Sequence, residues 1–455
     1  DYDGDGSVSE GVFFEIRGLQ EMLLQAIQAY AGDVAGKPIA YSAGSHPYFF
    51  VDTNGDGVAD EAEATRANAF NAFTPRLLKA AYNYQFSKKD PGAFAHNAKY
   101  IIQLLNDSIE SLNEKLSSPV DLSRARRDDA GHFDATGEPF RHWDAEGEVP
   151  ADCAKCHSAG GLPFRLKNGV NIASQPSDAL MCSTCHSSTQ TFALRQSSEV
   201  TFPSGAKLAF ADSTASNLCI QCHQGRESTV SVNSAIQRAN VGPNQVSSQL
   251  GFRNVHYFAA GATLFGSEAQ GAYQYSGKQY RGRFAHVPSF DTCTECHDAH
   301  ALNVKVDQCS TCHSGVNTQA DLRNIRFGSA ADYDGDGNVS EGIAGEVATM
   351  HDKLLAAIQR YAANTLGTPI VYDSHSYPYW FIDSNGNGSA DPDETKAANR
   401  YAKWTPTLVR ATYNYQYVAK DPGAFAHNND YILQVLYDSL QDVGGSGAVA
   451  GMTRP

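Results

Sequence analysis

Apolar residues recur at the 3.6-residue spacing of an amphipathic helix over residues 19–30, 75–84 and 100–112, and matching stretches return near the other end of the chain. These stretches predict packed helices. Between them the chain changes character, becoming rich in Gly, Ser, Thr and Asn with only short periodic runs. That pattern predicts loops and short helices with sparse regular structure. No run approaches the roughly 20 apolar residues that a membrane-crossing helix needs. The chain opens on Asp1 without a basic-then-apolar leader, which reads as a processed or trimmed form.

The terminal pattern is an internal repeat. Adding 331 to each position from 1 to 112 aligns the two ends without a gap, and 58 of those 112 positions are identical. Asp1-Tyr2-Asp3-Gly4-Asp5-Gly6 returns as Asp332-Tyr333-Asp334-Gly335-Asp336-Gly337, and the run 89–97 (KDPGAFAHN) returns unchanged at 420–428. The chain therefore reads flank, central segment, flank.

At 455 residues it has room for two to four domains. An apolar fraction of 42% is ordinary for a globular protein. The formal charge of −15 disfavours nucleic acid as a partner, since that needs clustered Lys and Arg.

Ten cysteines would normally suggest a disulfide framework in an exported chain, but their spacing overrules that reading. Every one belongs to a C-x-x-C-H unit: Cys153/Cys156/His157, Cys182/Cys185/His186, Cys219/Cys222/His223, Cys293/Cys296/His297 and Cys309/Cys312/His313. Two thiols three residues apart bond the two vinyl groups of one haem, and the adjacent imidazole reaches its iron. Paired C-x-x-C knuckles also bind zinc. With 15 histidines in 455 residues, however, five chance followers have a probability on the order of 10⁻⁸. Five covalently bound haem c groups are the expected cofactors. Their attachment outside the cytoplasm implies an extracellular, cell-surface or periplasmic location. Successive motifs start 29, 37, 74 and 16 residues apart, far less chain than separate haem domains use, so the haems are expected to be neighbours, wrapped by the loops between them.

The second axial ligand separates a wire from an enzyme, because an open iron site binds and reduces a small molecule whereas a filled one exchanges electrons. Outside the motifs, the central segment contains His132, His142, His256, His286 and His300. Five spare imidazoles for five haems match bis-histidine ligation throughout, with the alternative that one or two of them bind a propionate or pack in the core. His132 and His142 precede the first motif and are expected to reach forward to early haems, while His300 is expected to serve a neighbour of the haem at His297. In the flanks only His96 and His427 coincide between copies. The coincidence suggests a packing or capping role at a helix start, with an axial ligand as the other reading, and neither is placed among the ligands.

Each flank carries two acidic loops of the calcium-binding EF-hand pattern, in which alternating oxygens surround a hard cation and a glycine permits the sharp turn. The later loops fit fully: Asp52, Asn54, Asp56, Val58, Asp60 and Glu63 in the first copy, and Asp383, Asn385, Asn387, Ser389, Asp391 and Glu394 in the second. The final glutamate is expected to bind from the start of the next helix. The earlier loops supply Asp1, Asp3, Asp5 and Ser7, and Asp332, Asp334, Asp336 and Asn338, but have Val12 and Ile343 at the twelfth position. Glu10 or Glu15, repeated as Glu341 or Glu346, would have to close those cages, and an Asp-Gly turn that caps the next helix is the alternative. Two to four calcium ions are expected from the four loops.

The five motifs resemble the multihaem c-type cytochromes with which metal-respiring bacteria pass electrons across the periplasm and beyond the cell. The resemblance covers Cys153 to His313, about a third of the chain; the flanks resemble EF-hand proteins only at their loops. It implies stacked bis-histidine haems, low potentials, and redox proteins or extracellular acceptors as partners. The C-x-x-C-K motif of the nitrite-reductase branch is absent. Electron transfer is therefore favoured over enzymatic activity, and a multihaem reductase of a small nitrogen or sulfur compound, with one open haem site, is the alternative.

The expected fold class is mainly α with much irregular structure. A loop-rich pentahaem core at 118–328 is flanked by two homologous helical EF-hand-like calcium domains, at 1–117 and, with a C-terminal tail, 329–455. Because the flanks are alike, the second can dock on the haem segment of another copy, a head-to-tail contact that builds filaments when it does not close, with a plain duplication within a monomer as the alternative.

Overall fold

A computed structural model describes residues 1–7, 10–326 and 328–455. It is mainly helical with long irregular connections, and no helix among the described residues is long and apolar enough to cross a membrane. The chain forms two compact units. Residues 1–148 and 176–180 make the first, and residues 149–175 and 181–455 the second.

In the first unit, α1 (Val12–Asp33), α2 (Pro75–Lys89) and α4 (Ala98–Asn113) pack together, with a short α3 (Ala93–His96) before α4. An antiparallel pair, β1 (Ile39–Tyr41) and β2 (Phe49–Val51), sets Ala40 opposite Phe50. Local chemistry starts the helices. Thr74 accepts the Leu77 N–H, with Pro75 in the first turn of α2, and Asn97 accepts the Tyr100 N–H at α4. The helical spacing of α4 buries Ile101, Ile102, Leu105, Ile109 and Leu112 on one face against α1 and α2. Leu105 is fully buried, so Leu105→Ala would cost about 2–5 kcal/mol. A one-turn α5 (Glu138–Arg141) also lies in this unit.

The second unit holds all five C-x-x-C-H motifs and the second flank. Its central part consists of short pieces: α6 (Ala151–His157), α7 (Gly161–Asn168), α8 (Cys182–Cys185), the two-residue strands β3 (Val200–Thr201) and β4 (Lys207–Leu208), α9 (Thr214–Cys219), α10 (Thr229–Ala239), α11 (Ala260–Phe265), α12 (Cys293–Cys296) and α13 (Val306–Cys309). The second flank repeats the first: α14 (Ile343–Leu366), β5 (Ile370–Tyr372), β6 (Trp380–Ile382), α15 (Pro406–Ala419), α16 (Ala424–His427) and α17 (Asn429–Gly444). One apolar core runs through both parts. Phe210, Ile220, Val255 and Phe265 of the central segment pack in the same cluster as Trp380, Tyr413, Tyr417 and Tyr431 of the flank.

The division expected from sequence follows repeat and motif, whereas compactness draws its main boundary after Glu148. The second flank's packing face is taken up by this chain's own central segment.

Candidate functional site

Each motif sits on a single helical turn, which puts its two thiols on one face. The turn closes through the histidine's own backbone. His186 N–H donates to Cys182 O at 2.9 Å, His223 to Cys219 at 3.0 Å, His297 to Cys293 at 2.9 Å and His313 to Cys309 at 2.9 Å. The helix then ends: His186 and His297 have extended backbones that swing their rings away from the turn. At His186 the Nδ1 lies 2.7 Å from the Phe192 carbonyl. Donation from Nδ1 fixes the tautomer that leaves Nε2 free for a metal.

Ring spacing separates the spare imidazoles. Two imidazoles that bind one iron from opposite sides, through bonds of about 2 Å, have ring centres roughly 6 Å apart. His157 and His256 stand 5.8 Å apart, His186 and His300 6.1 Å, His313 and His286 6.0 Å, and His297 and His427 6.2 Å. Four separate pairs thus share the spacing that a bis-histidine site needs. Burial, reinforced by the charges of Arg226, His157 and Lys420, lowers the His256 pKa to about 4. His286 and His297 are also lowered, mainly by burial. Neutral imidazole is the form that ligates a metal. His256 has φ of 75°, a left-handed backbone that a non-glycine residue adopts at a cost of about 1–3 kcal/mol, usually where function requires it.

Three of these partners, His256, His286 and His300, are among the five spare imidazoles picked out by sequence. His132 and His142 lie in the first compact unit, whereas the motifs lie in the second. Burial lowers the pKa of His132, and His142 Nδ1 is 2.6 Å from Glu138 Oε1. His223 stacks at a tilt beside Tyr257, 5.1 Å between ring centres.

His427 is the partner that sequence reading set aside. Its Nδ1 lies 2.8 Å from Asp421 Oδ1, which leaves Nε2 as the free nitrogen of a ring that faces His297. Asp421 is buried, and its second oxygen has no hydrogen-bond partner. Burial alone would lower the His427 pKa, but the charge and hydrogen bond of Asp421 raise it. The signal was in the repeat: an aspartate stands six residues before the histidine in both copies, Asp90/His96 and Asp421/His427.

The cysteines of different motifs meet. The thiols of Cys156 and Cys222 share a hydrogen bond, as do those of Cys219 and Cys293. Cys185 lies close enough to Cys219, and Cys296 to Cys309, for their charges to interact. The third motif therefore adjoins the first, second and fourth, and the fourth adjoins the fifth. Backbone ties support this, with Lys305 N–H on Cys296 O at 2.8 Å and Thr294 N–H on Ser216 Oγ at 3.3 Å. No two cysteines are disulfide-bonded. Among the described residues, the only groups of three or more metal-type ligand atoms within 4.8 Å of one another are carboxylates, so no Cys/His cluster of the zinc-ribbon kind is formed.

Cover over the thiols is uneven. Cys312 and Cys182 are exposed, while the other eight cysteines are half-buried. At Cys312 the reason is local. Its N–H donates to Cys309 O at 3.2 Å, so the thiol stays on its motif's turn, but the neighbouring residues Ser310, Thr311 and Ser314 are short and polar. They supply no apolar side chain to fold over it. Cys182 stands at the first position of α8, next to Met181, whose side chain is itself exposed.

The acidic loops gather as follows. Asp52, Asp56 and Glu63 converge. Asp52 accepts the Gly55 and Gly57 N–H groups at 2.7 and 2.9 Å, and both glycines have positive φ. Hydrogen bonds from the Thr53 hydroxyl and N–H to Oε1 hold the Glu63 carboxyl below its usual range, while Oε2 is buried without a partner. In the second copy Asp383 repeats the glycine bonds at 2.6 and 2.9 Å, and the Asn385 and Asn387 amides both turn to Asp391. Neither later loop lies between two helices. A strand precedes each, and a short 3-10 turn follows at Arg66–Asn68 and Ala397–Asn399, so Glu63 and Glu394 do not open an α-helix as expected. In the earlier loops the converging sets are Asp1, Asp3 and Asp5; Asp3, Glu10 and Glu15; Asp332, Asp334 and Glu346; and Asp334, Asp336 and Glu341. Both repeated glutamates thus face these loops. Asp334 is fully buried with one oxygen unpartnered, and Glu341 Oε1 is also unpartnered. Buried acceptors without donors suit a hard cation.

No family model matches the chain, and no solved structure matches it. It is similar to the C-type polyheme cytochrome OmcB of two Geobacter sulfurreducens strains, at 23% identity over 375 residues, covering 68% of this chain and 46% of OmcB. It is also similar to the C-type polyheme cytochrome OmcC of Geobacter sulfurreducens, at 25% identity over 382 residues, covering 68% of this chain and 45% of OmcC. The chain spans about half the length of these curated relatives. The likeness supports a multihaem c-type cytochrome with covalently bound haem.

Proposed function

We propose that this chain is an electron conduit built on five haem c groups, one at each C-x-x-C-H motif. The observation that carries the proposal is the set of four imidazole pairs at 5.8–6.2 Å. In this reading His256 completes the site of His157, His300 that of His186, His286 that of His313 and His427 that of His297. His223 holds the fifth haem. Bound at such sites, haem supplies a one-electron iron couple whose ligands need not change.

The protein's part is to hold the rings, exclude water and keep neighbouring sites in contact. Burial favours the neutral form of His256, His286 and His297, while Asp421 and the Phe192 carbonyl fix the tautomers of His427 and His186. The thiol contacts between motifs make a branched path with the third motif at its centre. The exposed thiols Cys182 and Cys312 belong to two of its outer motifs, where electrons can enter or leave. The flanks act as calcium-stiffened scaffolds, and the protein works outside the cytoplasm, handing electrons to other redox proteins or to an extracellular acceptor.

Intact mass before and after haem attachment, together with carbon monoxide titration of the reduced protein, tests the reading. A mass increase of five haems with no carbon monoxide adduct is expected. A stoichiometric adduct at one haem would instead favour a reductase of a small nitrogen or sulfur compound.

A further inference from the structure

The two flanks differ in what covers one face. In the second copy, α15 and α17 are overlaid by an extended strip of the central segment around residues 268–284. Tyr413 donates its hydroxyl to Gly271 O at 2.6 Å, and Asn414 clamps both backbone polar groups of Tyr273, accepting its N–H at 2.7 Å and donating to its C=O at 3.0 Å. Gln274 Nε2 donates to the Tyr431 hydroxyl at 3.1 Å. The fit is close: a Cβ on Gly271 would lie 2.6 Å from the Tyr417 hydroxyl. Tyr413, Asn414 and Tyr431 are all fully buried.

The first copy keeps the same groups and leaves them open. Tyr82, Asn83 and Tyr100 occupy the equivalent positions. Tyr82 is 66% exposed and Tyr100 48%. Asn83 retains the bond to Ser108 that mirrors Asn414 on Ser439, but among the described residues no peptide group is clamped against it. Phe86 bridges Tyr82 and Tyr100 through ring contacts of 6.4 Å each. Leu78, Lys79, Tyr82 and Asn83 line a groove of about 460 Å³ on this face. In the same flank His96 has Nδ1 2.9 Å from Asp90, as in the second copy, but its side chain is 71% exposed against 21% for His427. Exposed apolar and aromatic side chains grouped on one face, Leu78, Tyr82, Phe86 and Tyr100, mark an interaction surface.

We infer that this face of the first flank is a receptor for an extended strip of the Gly-Ala-Tyr type belonging to another haem-bearing segment, and that His96 ligates the iron of the haem which that segment carries. In a second copy of this chain the strip is already seated on its own flank, so the partner is a different C-x-x-C-H segment with an unseated strip. The His96 part rests on the role proposed for His427.

The test is a fluorescent peptide copying residues 268–284, titrated with the full haem-loaded chain. Saturable one-to-one binding is expected, weakened at least tenfold by Asn83→Ala and by Tyr82→Ala, and lost when valine replaces the glycine at peptide position 271. Absence of binding, or binding indifferent to those changes, overturns the inference. So does self-association of the chain that Asn83→Ala abolishes, since a second copy would then be the partner. Extending the peptide with a C-x-x-C-H haem that has an open sixth site should give a low-spin spectrum on docking, and a spectrum left high-spin in His96→Ala. Docking of the bare peptide does not depend on iron ligation. Its failure is therefore distinguishable from failure of the His427 assignment, which the spin state of His427→Ala reads separately.

Discussion

The two flanks share 58 of 112 aligned residues and build the same helices, strand pairs and acidic loops, yet one face is core in the second and surface in the first. The Asp–His bond persists in both, at 2.9 and 2.8 Å, because it is made locally, between residues six apart, and needs no partner from elsewhere. Burial does not persist: Asp421 is 1% exposed and Asp90 33%. Sequence encodes the element, and whatever lies against it decides whether a tyrosine stabilises a core or waits for a ligand.

The largest test of this contrast is truncation of the repeated tyrosine. Tyr413→Ala removes a buried ring and the hydroxyl bond to Gly271, and should cost about 3–5 kcal/mol in denaturant unfolding. Tyr82→Ala, on the exposed copy, should stay within about 0.5 kcal/mol of the parent. Equal losses would mean that the first face is covered after all. Next comes Asn414→Ala, which leaves the buried Tyr273 N–H and C=O without this partner and should cost about 1–3 kcal/mol, whereas Asn83→Ala should be nearly silent.

Calcium should act on both copies alike. Chelation is expected to lower the unfolding free energy by about 2.7 kcal/mol per ion at a free calcium concentration 100 times its Kd. Calorimetry of Glu63→Gln and Glu394→Gln should show similar losses, and an unchanged melting profile under chelator would remove calcium from the account. The smallest effect is spectroscopic. Asp421→Asn should raise the potential of the haem at His297 by weakening the charge on its ligand, while Asp90→Asn should leave the redox titration unchanged.

Much of this was legible in the chain. The C-x-x-C-H spacing marks five similar backbone turns, the 3.6-residue pattern located α1, α2 and α4, and counting imidazoles picked out His256, His286 and His300, whose rings stand 5.8–6.1 Å from motif histidines. What escaped depended on long-range packing. His427 lies 130 residues beyond His297 in sequence (427 − 297), and its reproduction as His96 suggested a local role, because a repeated residue looks structural until one copy is seen against a partner. Motif spacing likewise treats all ten thiols as equivalent, and says nothing of the cover that leaves Cys312 and Cys182 exposed. The later calcium loops fit the EF-hand pattern residue by residue, but that pattern is silent about the elements on either side. A strand and a 3-10 turn flank them because the preceding residues, Phe49, Phe50 and Val51, pair with β1 rather than continuing a helix.

The central claim is that the iron of the haem attached at Cys293 and Cys296 is held between His297 and His427. Electron paramagnetic resonance of the oxidised His427→Ala protein tests it most directly. The account predicts wholly low-spin iron in the parent and one high-spin haem in five in the variant. A variant that remains entirely low-spin, with unchanged g values, would contradict it.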